Sequence, residues 1–539
     1  MACSKIFSGD LPELTNEILQ HFRKDTSTLH SCILVNRFWC RLAIPLLWEN
    51  PFSIPNRNYR CIEIYLHFLN EDSKAKLNEY GINNNLVPTN TLFNYPNFIK
   101  YLTMSRIYFS VEKWVATSAD NNHKNLEKLV YKSLFEVFFK HEGSLHSFGL
   151  IMFKNIHFTC FNNIMELILQ NPHFTYNIKY FTLRIFHGMI PQNVTNIIPF
   201  LKFLCSNCNL ITTLHFSLSS INDFSLVEKY LSQIIISQHN LKIISFGTNN
   251  YILYHPFLSL KNSNCSNTLN TIIFDNIDFK NIITILKKVF DQLDVLDSIH
   301  ILYCDSLNSD FVQQIIKVIK PFKLRSLCIK ERLYIESLQL LLQKCGDYLE
   351  NFEFGSECEE DEGSRQQFLK LIMKYCTKIK RFTSENPDDI NIYLLIKNIE
   401  QTINYLTIDI YYDDLDSIVL QNLGQVLPAK LEYLHLSLSF NSSDFEIFLK
   451  NSQNTFIKKL IINNMIQNDS ILFYIKEYIM RKERVKYLAF SEYIPYNDTD
   501  RELFSLEDEV NEFRLHNIIV QRYDDLYISI YSIIYDLNV

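Results

Sequence analysis

The residues with the most chemical potential are few and far apart. Cys205-Ser-Asn-Cys208 is the one C-x-x-C pair among 13 cysteines. A zinc site would need a second ligand pair at suitable spacing, and a redox site its own fold; neither accompanies this pair, so packing is the expected role. Glu357-Cys-Glu-Glu-Asp-Glu362 is the densest charge run. It lacks the alternating ligands and sixth-position glycine of a calcium loop and reads as a solvated loop. Asp388-Asp389 and Asp413-Asp414 read as helix caps and first-turn charges. The 15 histidines are dispersed, and H-E-x-x-H, G-x-S-x-G and G-K-[ST] do not occur. The sequence therefore offers no metal ligand set, no cofactor and no catalytic residue, and a non-enzyme is expected.

Composition narrows the partners. A net charge of −7 gives no general affinity for nucleic acid. The opening MACSKIFSGD lacks a signal-length apolar core, and the chain has no uncharged apolar run of about eighteen residues, so no membrane association is expected. Cysteines set in apolar patterns, such as Leu327-Cys328-Ile329, fit buried thiols in a reducing compartment, cytoplasmic and/or nuclear. On that reading the glycosylation triplets at Asn193 and Asn441 carry no meaning.

Two kinds of element must position whatever this chain binds. The first is Leu11–Trp48. Asp10 is expected as an N-cap, with Pro12 in the first turn and Glu13 three residues on. Leu14, Ile18, Leu19 and Phe22 recur at helical spacing. A second apolar run, Leu29, Ile33, Leu34, Phe38 and Leu42, predicts another helix, with Pro45 breaking it before a short last segment. So small a unit buries little surface alone and needs a partner or a larger neighbour.

This stretch resembles the F-box. The likeness rests on Leu11-Pro12 with Ile18-Leu19, on Val35-Asn36-Arg37-Phe38-Trp39, where Asn36 replaces the family's usual cysteine, and on Pro45-Leu46-Leu47-Trp48. The resemblance implies docking on the Skp-type adaptor of a cullin–RING ubiquitin ligase. It assigns adaptor contacts to Leu11, Pro12, Leu14, Ile18, Leu19, Phe22, Val35, Trp39, Leu47 and Trp48. The other reading of the stretch is a three-helix N-terminal cap on the rest of the chain.

The second kind is a repeat. Apolar-x-x-apolar-x-apolar, succeeded by an apolar helix-like run, begins at Leu145, Ile178, Ile211, Leu241, Leu269, Leu296, Leu324, Leu349, Ile379 (here with a polar last position, Ser384), Ile403, Leu431, Ile457 and Val485. A degenerate copy starts at Ile99. Successive full copies start roughly 24 to 33 residues apart, near the leucine-rich-repeat period of about 20 to 29. Helical faces are predicted at Phe311/Ile315/Ile316/Ile319, Phe368/Leu371/Ile372/Tyr375 and Ile471/Tyr474/Ile475/Tyr478. The fold class expected is α/β: a three-helix F-box, residues 1–50, then a leucine-rich-repeat solenoid with a parallel inner sheet and outer helices. Residues 51–97 read as a linker packing on the solenoid, 98–500 as the repeats and 501–539 as a C-terminal cap. The units lack a reliable Asn or Cys after the strand and resemble the irregular leucine-rich repeats found behind F-boxes, especially fungal ones. A doubly wound sheet would show continuous apolar strands, and an all-helical array would lack segments such as LEYLHLSLSF.

Side chains alternate along a strand, so residues between the apolar positions point to the inner surface. The earliest row holds Tyr180, Thr213, Arg381, Tyr405, Tyr433, Lys459 and Tyr487. The middle row holds Thr182, His215, His300, Glu353, Thr407 and His435, and the last Arg184, Asp275, Lys330, Glu385 and Asp409. Arg381, Tyr405, Asp409, Tyr433, His435, Lys459 and Tyr487 form the expected surface for an unidentified protein substrate, since Tyr and Arg are enriched in interfaces. The sequence thus reads as the substrate receptor of an SCF-type ubiquitin ligase. The alternative is a repeat scaffold with no ubiquitin role.

Overall fold

The computed structural model describes all residues except 1–10, 24, 54–58, 83–90, 119–122, 142–143, 187–196, 219–224, 248–253, 263, 330–333, 355–361, 386–389, 411–416, 466–470, 493–500 and 537–539. Asp10, the loop at Asn83-Asn84-Asn85, Asn193, Lys330, the acidic run up to Asp361, Asp388, Asp389, Asp413 and Asp414 lie outside the described residues. The chain divides into two units, residues 1–270 with 292–295, and residues 271–291 with 296–539.

Three helices open the first unit: α1 (Pro12–His21), α2 (Thr26–Ile33) and α3 (Arg37–Leu47). Leu11, not Asp10, occupies the N-cap position of α1 and offers no side-chain cap. The second apolar run is split where the sequence reading had one helix. Asp25 caps α2 by accepting the Thr28 amide at 2.9 Å, and Asn36 caps α3 by accepting that of Trp39 at 2.9 Å. An Asn in extended backbone ahead of an amide it can accept starts a new helix, so the break falls at Leu34–Asn36. Pro45 sits inside α3 instead of ending it. In the last turn it forfeits a single backbone hydrogen bond.

Between the motif and the repeats, in the segment read as a linker packing on the solenoid, the structure has two short α-helices. Helix α4 (Cys61–Leu66) buries Ile62, Tyr65 and Leu66, and α5 (Glu71–Asn78) buries Leu77. The Tyr65 ring lies edge-on to Phe138 at 5.2 Å, within the helix His123–Lys140.

Behind these comes a strand–helix repeat. In the first unit β1 (Tyr101–Thr103), β2 (Ser147–Met152), β3 (Tyr180–Ile185), β4 (Thr213–Leu218) and β5 (Ile243–Gly247) pair in parallel, in sequence order. The second unit contains β6 (Thr271–Asp275), β7 (Ser298–Leu302), β8 (Leu324–Ile329), β9 (Asn351–Phe354) and β10 (Arg381–Glu385). It continues with β11 (Tyr405–Asp409), β12 (Lys430–Leu438), β13 (Phe456–Asn464) and β14 (Val485–Glu492), again parallel and in order. Each strand coincides with one of the apolar repeats, and each of β1–β13 is followed by helical structure before the next strand. This is a leucine-rich-repeat fold.

Register obeys the apolar positions. Leu102, Phe148, Phe181, Leu214 and Ile244 stand opposite one another across β1–β5. Leu327, Phe352, Phe382, Leu406, Leu434, Leu460 and Leu488 do so across β8–β14, all essentially without solvent exposure. One shift interrupts this. Leu327 stands opposite Ile301 rather than Ile299, because β7 and β8 slip between Ile299 and His300. His300 therefore faces Ser326, and its Nδ1 lies 2.8 Å from the Ser326 hydroxyl.

Backbone pairing between repeats has a recurring form. One carbonyl just ahead of a strand accepts two successive amides from the next repeat. Lys100 accepts from His146 and Ser147, His146 from Lys179 and Tyr180, and Lys179 from Thr212 and Thr213, at 2.8–3.0 Å. In the second unit Glu350, Lys380 and Asn404 do the same for the strands that come after them. Buried side chains tie the helix ends. The Gln238 amide donates to the Cys208 carbonyl at 2.8 Å and accepts the Ile211 amide, while the Arg484 guanidinium donates to carbonyls of Leu449, Ser452 and Thr455.

Helical faces mostly agree with the sequence pattern. Phe311 and Ile315 are buried in the helix Ser309–Ile316, but that helix stops short of Ile319, which is 84% exposed. Among the described side chains of Glu362–Tyr375, Phe368, Leu369 and Ile372 are buried, and Leu371 is only half-buried. After Ile471–Ile475 the backbone continues as a π-helical turn, Lys476–Met480, that buries Ile479 and Met480. Among the described residues no helix is long and apolar enough to cross a membrane.

Helices of successive repeats approach closely. A Cβ added to Gly424 would lie 2.9 Å from Asn451 Cβ and 3.0 Å from the Phe448 carbonyl oxygen. Helix propensity alone favours Gly424→Ala by about 1 kcal/mol, yet overpacking of this kind costs about 1–3 kcal/mol. The substitution is expected to lower the urea midpoint. A raised midpoint would show that the helices have room to part.

Candidate functional site

The N-terminal motif has a core and a face, and these do not coincide with the set of contacts that the F-box resemblance assigns. Leu19, Leu29, Cys32, Trp39, Ala43 and Leu46 form one buried cluster. Leu19 and Trp39 are thus interior residues that hold the helices together. Phe22, Ile33, Phe38, Leu42 and Leu47 pack against that cluster, partly buried, and Ile18 is half-buried. Leu11, Pro12, Leu14 and Val35 are exposed, as is Leu34 at 75%, which the sequence pattern placed in the apolar run of a second helix and not among the adaptor contacts. Leu34 was legible as a residue just before the Asn36 cap, where a chain leaving one helix for another puts its side chain outside. Apolar side chains left in water at the start of α1 and in the α2–α3 turn are available to a partner.

The end of the motif is locked to the repeats. Trp48, assigned to the adaptor by the resemblance, is half-buried with its ring 5.5 Å from Tyr65 and 4.3 Å from Tyr95. Next to it the Glu49 carbonyl accepts the amides of Lys100 and Tyr101 at 3.0 and 3.1 Å. That is the same two-for-one bond that joins repeat to repeat. The Glu49 carboxylate meets Arg23 at 3.0 Å. Burial pushes its pKa up, against the pull of the neighbouring Arg23 and Lys100 charges.

The inner strand face of the second unit is the other candidate surface, and it is already covered. Residues 501–520 pair with the last long strand: β15 (Arg501–Glu502) runs antiparallel to β14, and β16 (Ile519–Val520) parallel to it. The chain then turns back over the sheet. Leu526 is buried against Tyr433, Ile461 and Ala489, with Tyr405, Tyr487, Tyr523 and Ile528 packed around them. The Tyr523 hydroxyl lies 3.2 Å from His435 Nε2, the Ile528 amide donates to the Tyr433 hydroxyl at 3.2 Å, and the Tyr531 hydroxyl donates to Asp275 Oδ1 at 2.8 Å. The residues after Val520 therefore do more than cover the last repeat, which is the role the sequence suggested for them.

Under this segment lies a charged cluster. Arg381 Nη1 donates to Glu353 Oε2 at 2.9 Å, with both side chains nearly inaccessible. Burial favours the neutral guanidine, but the groups around it, the Glu353 carboxylate foremost with Cys328 and Tyr303 beside it, together outweigh burial and raise the Arg381 pKa. Tyr303, absent from the predicted rows, donates its hydroxyl to the same carboxylate and has its ring 6.1 Å from Tyr531. It comes just after the register slip and adopts φ 52°, a left-handed conformation unusual for a bulky residue. No pattern in the sequence marks such a position. Of the residues proposed to meet a substrate, Arg381, Tyr433 and His435 are buried, while Tyr405, Asp409, Lys459 and Tyr487 are half-buried. Tyr180, Thr182, Arg184 and Thr213, on the first unit's strands, are half-buried, and His215 is buried.

The two thiols of the C-x-x-C pair donate to separate carbonyls, Cys205 to Tyr230 at 3.4 Å and Cys208 to Thr175 at 3.2 Å. Burial pushes their pKa values up to about 11 and about 12. Protonated thiols make poor ligands and nucleophiles.

No family model matches the chain, and no curated protein matches it. Among solved structures it is similar to the one described as the crystal structure of the Rad7 and Elc1 complex in yeast, at 14% identity and a TM-score of 0.37. That similarity covers 71% of this chain and 91% of the other. At that level the fold assignment rests on this chain's own strand pairing and register.

Three inner-face histidines make the surface sensitive to acid. Burial, with a smaller push from a nearby arginine in each case, lowers His215 to about 3 and His300 and His435 to about 4. Between those values and about 6.5 the unfolded chain binds more protons than the folded one, so stability must fall as pH falls. For the second unit, His300 and His435 together are expected to remove about 2 kcal/mol between about pH 7 and about pH 5.5. Urea unfolding at the two pH values measures this; an unchanged midpoint would mean that the imidazoles are not held neutral.

Proposed function

We propose that this chain is the substrate-recognition subunit of an SCF-type cullin–RING ubiquitin ligase. Its N-terminal motif, an F-box, seats it on a Skp-type adaptor, and its repeats hold a target protein. The observation that carries the reading is the division of residues within Leu11–Trp48. A gap-free run of F-box-like residues folds as three helices, buries Leu19, Leu29 and Trp39, and leaves Leu11, Leu14, Leu34 and Val35 exposed. A cap that served the repeats alone would turn such residues inward, because leaving them in water forgoes about 25 cal/mol for every Å² of apolar surface.

The chain itself breaks no bond on this reading. Its work is proximity, raising the concentration of a bound target near a ubiquitin-charged enzyme held elsewhere in the assembly. Such a device needs a stiff connection between the motif and the repeats. The Glu49 carbonyl and the Trp48 ring supply one, since they continue the repeat's own bonding into the motif. The working compartment would be the cytoplasm or nucleus.

The test is capture of a purified Skp-type adaptor by the full chain. Wild type is expected to bind in the micromolar range or better. Leu14→Asp/Val35→Asp is expected to weaken binding at least tenfold, about 1.4 kcal/mol, with the unfolding midpoint unchanged. Leu19→Asp places a charge in the motif core and is expected to unfold it, so loss of binding there says nothing about contact. A wild-type chain that ignores the adaptor would sink the ligase reading.

A further inference from the structure

The segment after Val520 covers the inner face of the second unit in a manner that specifies what else fits there. Its own secondary structure is slight, a four-residue turn of helix at Tyr523–Leu526 and a seven-residue one at Ile530–Asp536. Helices this short do not persist in water by themselves. Their position is therefore set by the surface beneath, and the contacts are those of a docked peptide. The Tyr523 hydroxyl meets His435, Leu526 fills the space between Tyr433, Ile461 and Ala489, the Ile528 amide meets the Tyr433 hydroxyl, and the Tyr531 hydroxyl meets Asp275. Tyr527 stacks on Tyr523 yet remains 44% exposed, and Asp524 and Asp525 face solvent.

We infer that the inner face of the second unit is a binding surface for a tyrosine-bearing peptide segment of a target protein, and that residues 521–536 are its built-in competitor. This rests on the reading of the repeats as the target-binding half, and not on the adaptor. The spacing defines the ligand: a tyrosine, an apolar residue three positions on, and a second tyrosine five beyond that. The chemistry also sets its modification state. A carboxylate 2.8 Å from the second tyrosine's oxygen accepts a hydroxyl proton and repels a phosphate, so the surface selects the unmodified side chain.

The experiment uses the full chain and a fluorescent peptide of residues 521–536, sequence QRYDDLYISIYSIIYD. Leu526→Asp removes the apolar anchor of the attached segment and frees the face. The variant is expected to bind the peptide at least tenfold more tightly than wild type. A peptide phosphorylated at the position of Tyr531 is expected to bind at least tenfold more weakly than the unmodified one. A folded variant that binds no better than wild type, or that prefers the phosphopeptide, would overturn the inference. If the variant fails to fold, hydrogen exchange of the wild type decides. Amides of residues 523–531 are expected to exchange through local opening, well ahead of β12 and β13; exchange only on global unfolding would make the segment a permanent layer and overturn the inference. Adaptor capture depends on residues 11–35, so its failure and this one are read separately.

Discussion

The carbonyl shared ahead of β1–β5 and β10–β12 is the bond on which the alignment of those repeats depends. A carbonyl oxygen has two lone pairs, and here both are used by consecutive amides of the next repeat, as Lys179 does for Thr212 and Thr213. That arrangement fixes the start of one strand against the start of the next. A slip of one residue would send every apolar side chain to the wrong face, so Phe181, Leu214 and Ile244 stay in line and the intervening residues all reach the inner surface. Glu49 makes the same bond to Lys100 and Tyr101. The N-terminal motif is therefore joined to the first repeat as one repeat is joined to another.

Much of this was legible because it is local. The apolar-x-x-apolar-x-apolar pattern located every repeat strand from Tyr101 to Glu492, since period and burial leave their mark within a few residues. Where cap chemistry competes with a breaker, the sequence misleads: Pro45 looked like the break, but Asn36 makes it by accepting the Trp39 amide. The division of the motif into Leu19 and Trp39 inside and Leu34 and Val35 outside depends on how three helices meet, which spacing alone does not state. The β7–β8 slip and the left-handed Tyr303 arise from tertiary fit. Tyr531 reaching Asp275, 256 residues away in sequence, leaves no local trace.

These non-local features change what the inner face means. Tyr405, Tyr433, His435 and Tyr487 looked like open interface material and are instead packed by the chain's own Leu526 and Tyr523. The chemistry that made them attractive as a binding surface is the chemistry that the chain itself uses there. In the N-terminal motif, Leu11, Leu14, Leu34 and Val35 keep the exposure that a docking face requires. One surface is thus left open to a partner while the other is occupied.

Hydrogen exchange of the full chain with and without a purified Skp-type adaptor tests this division most directly. The account expects new protection at residues 11–21 and in the Leu34–Asn36 turn, with the inner-face strands unchanged. Protection confined to the inner face, or none anywhere at adaptor concentrations well into the micromolar range, would contradict it.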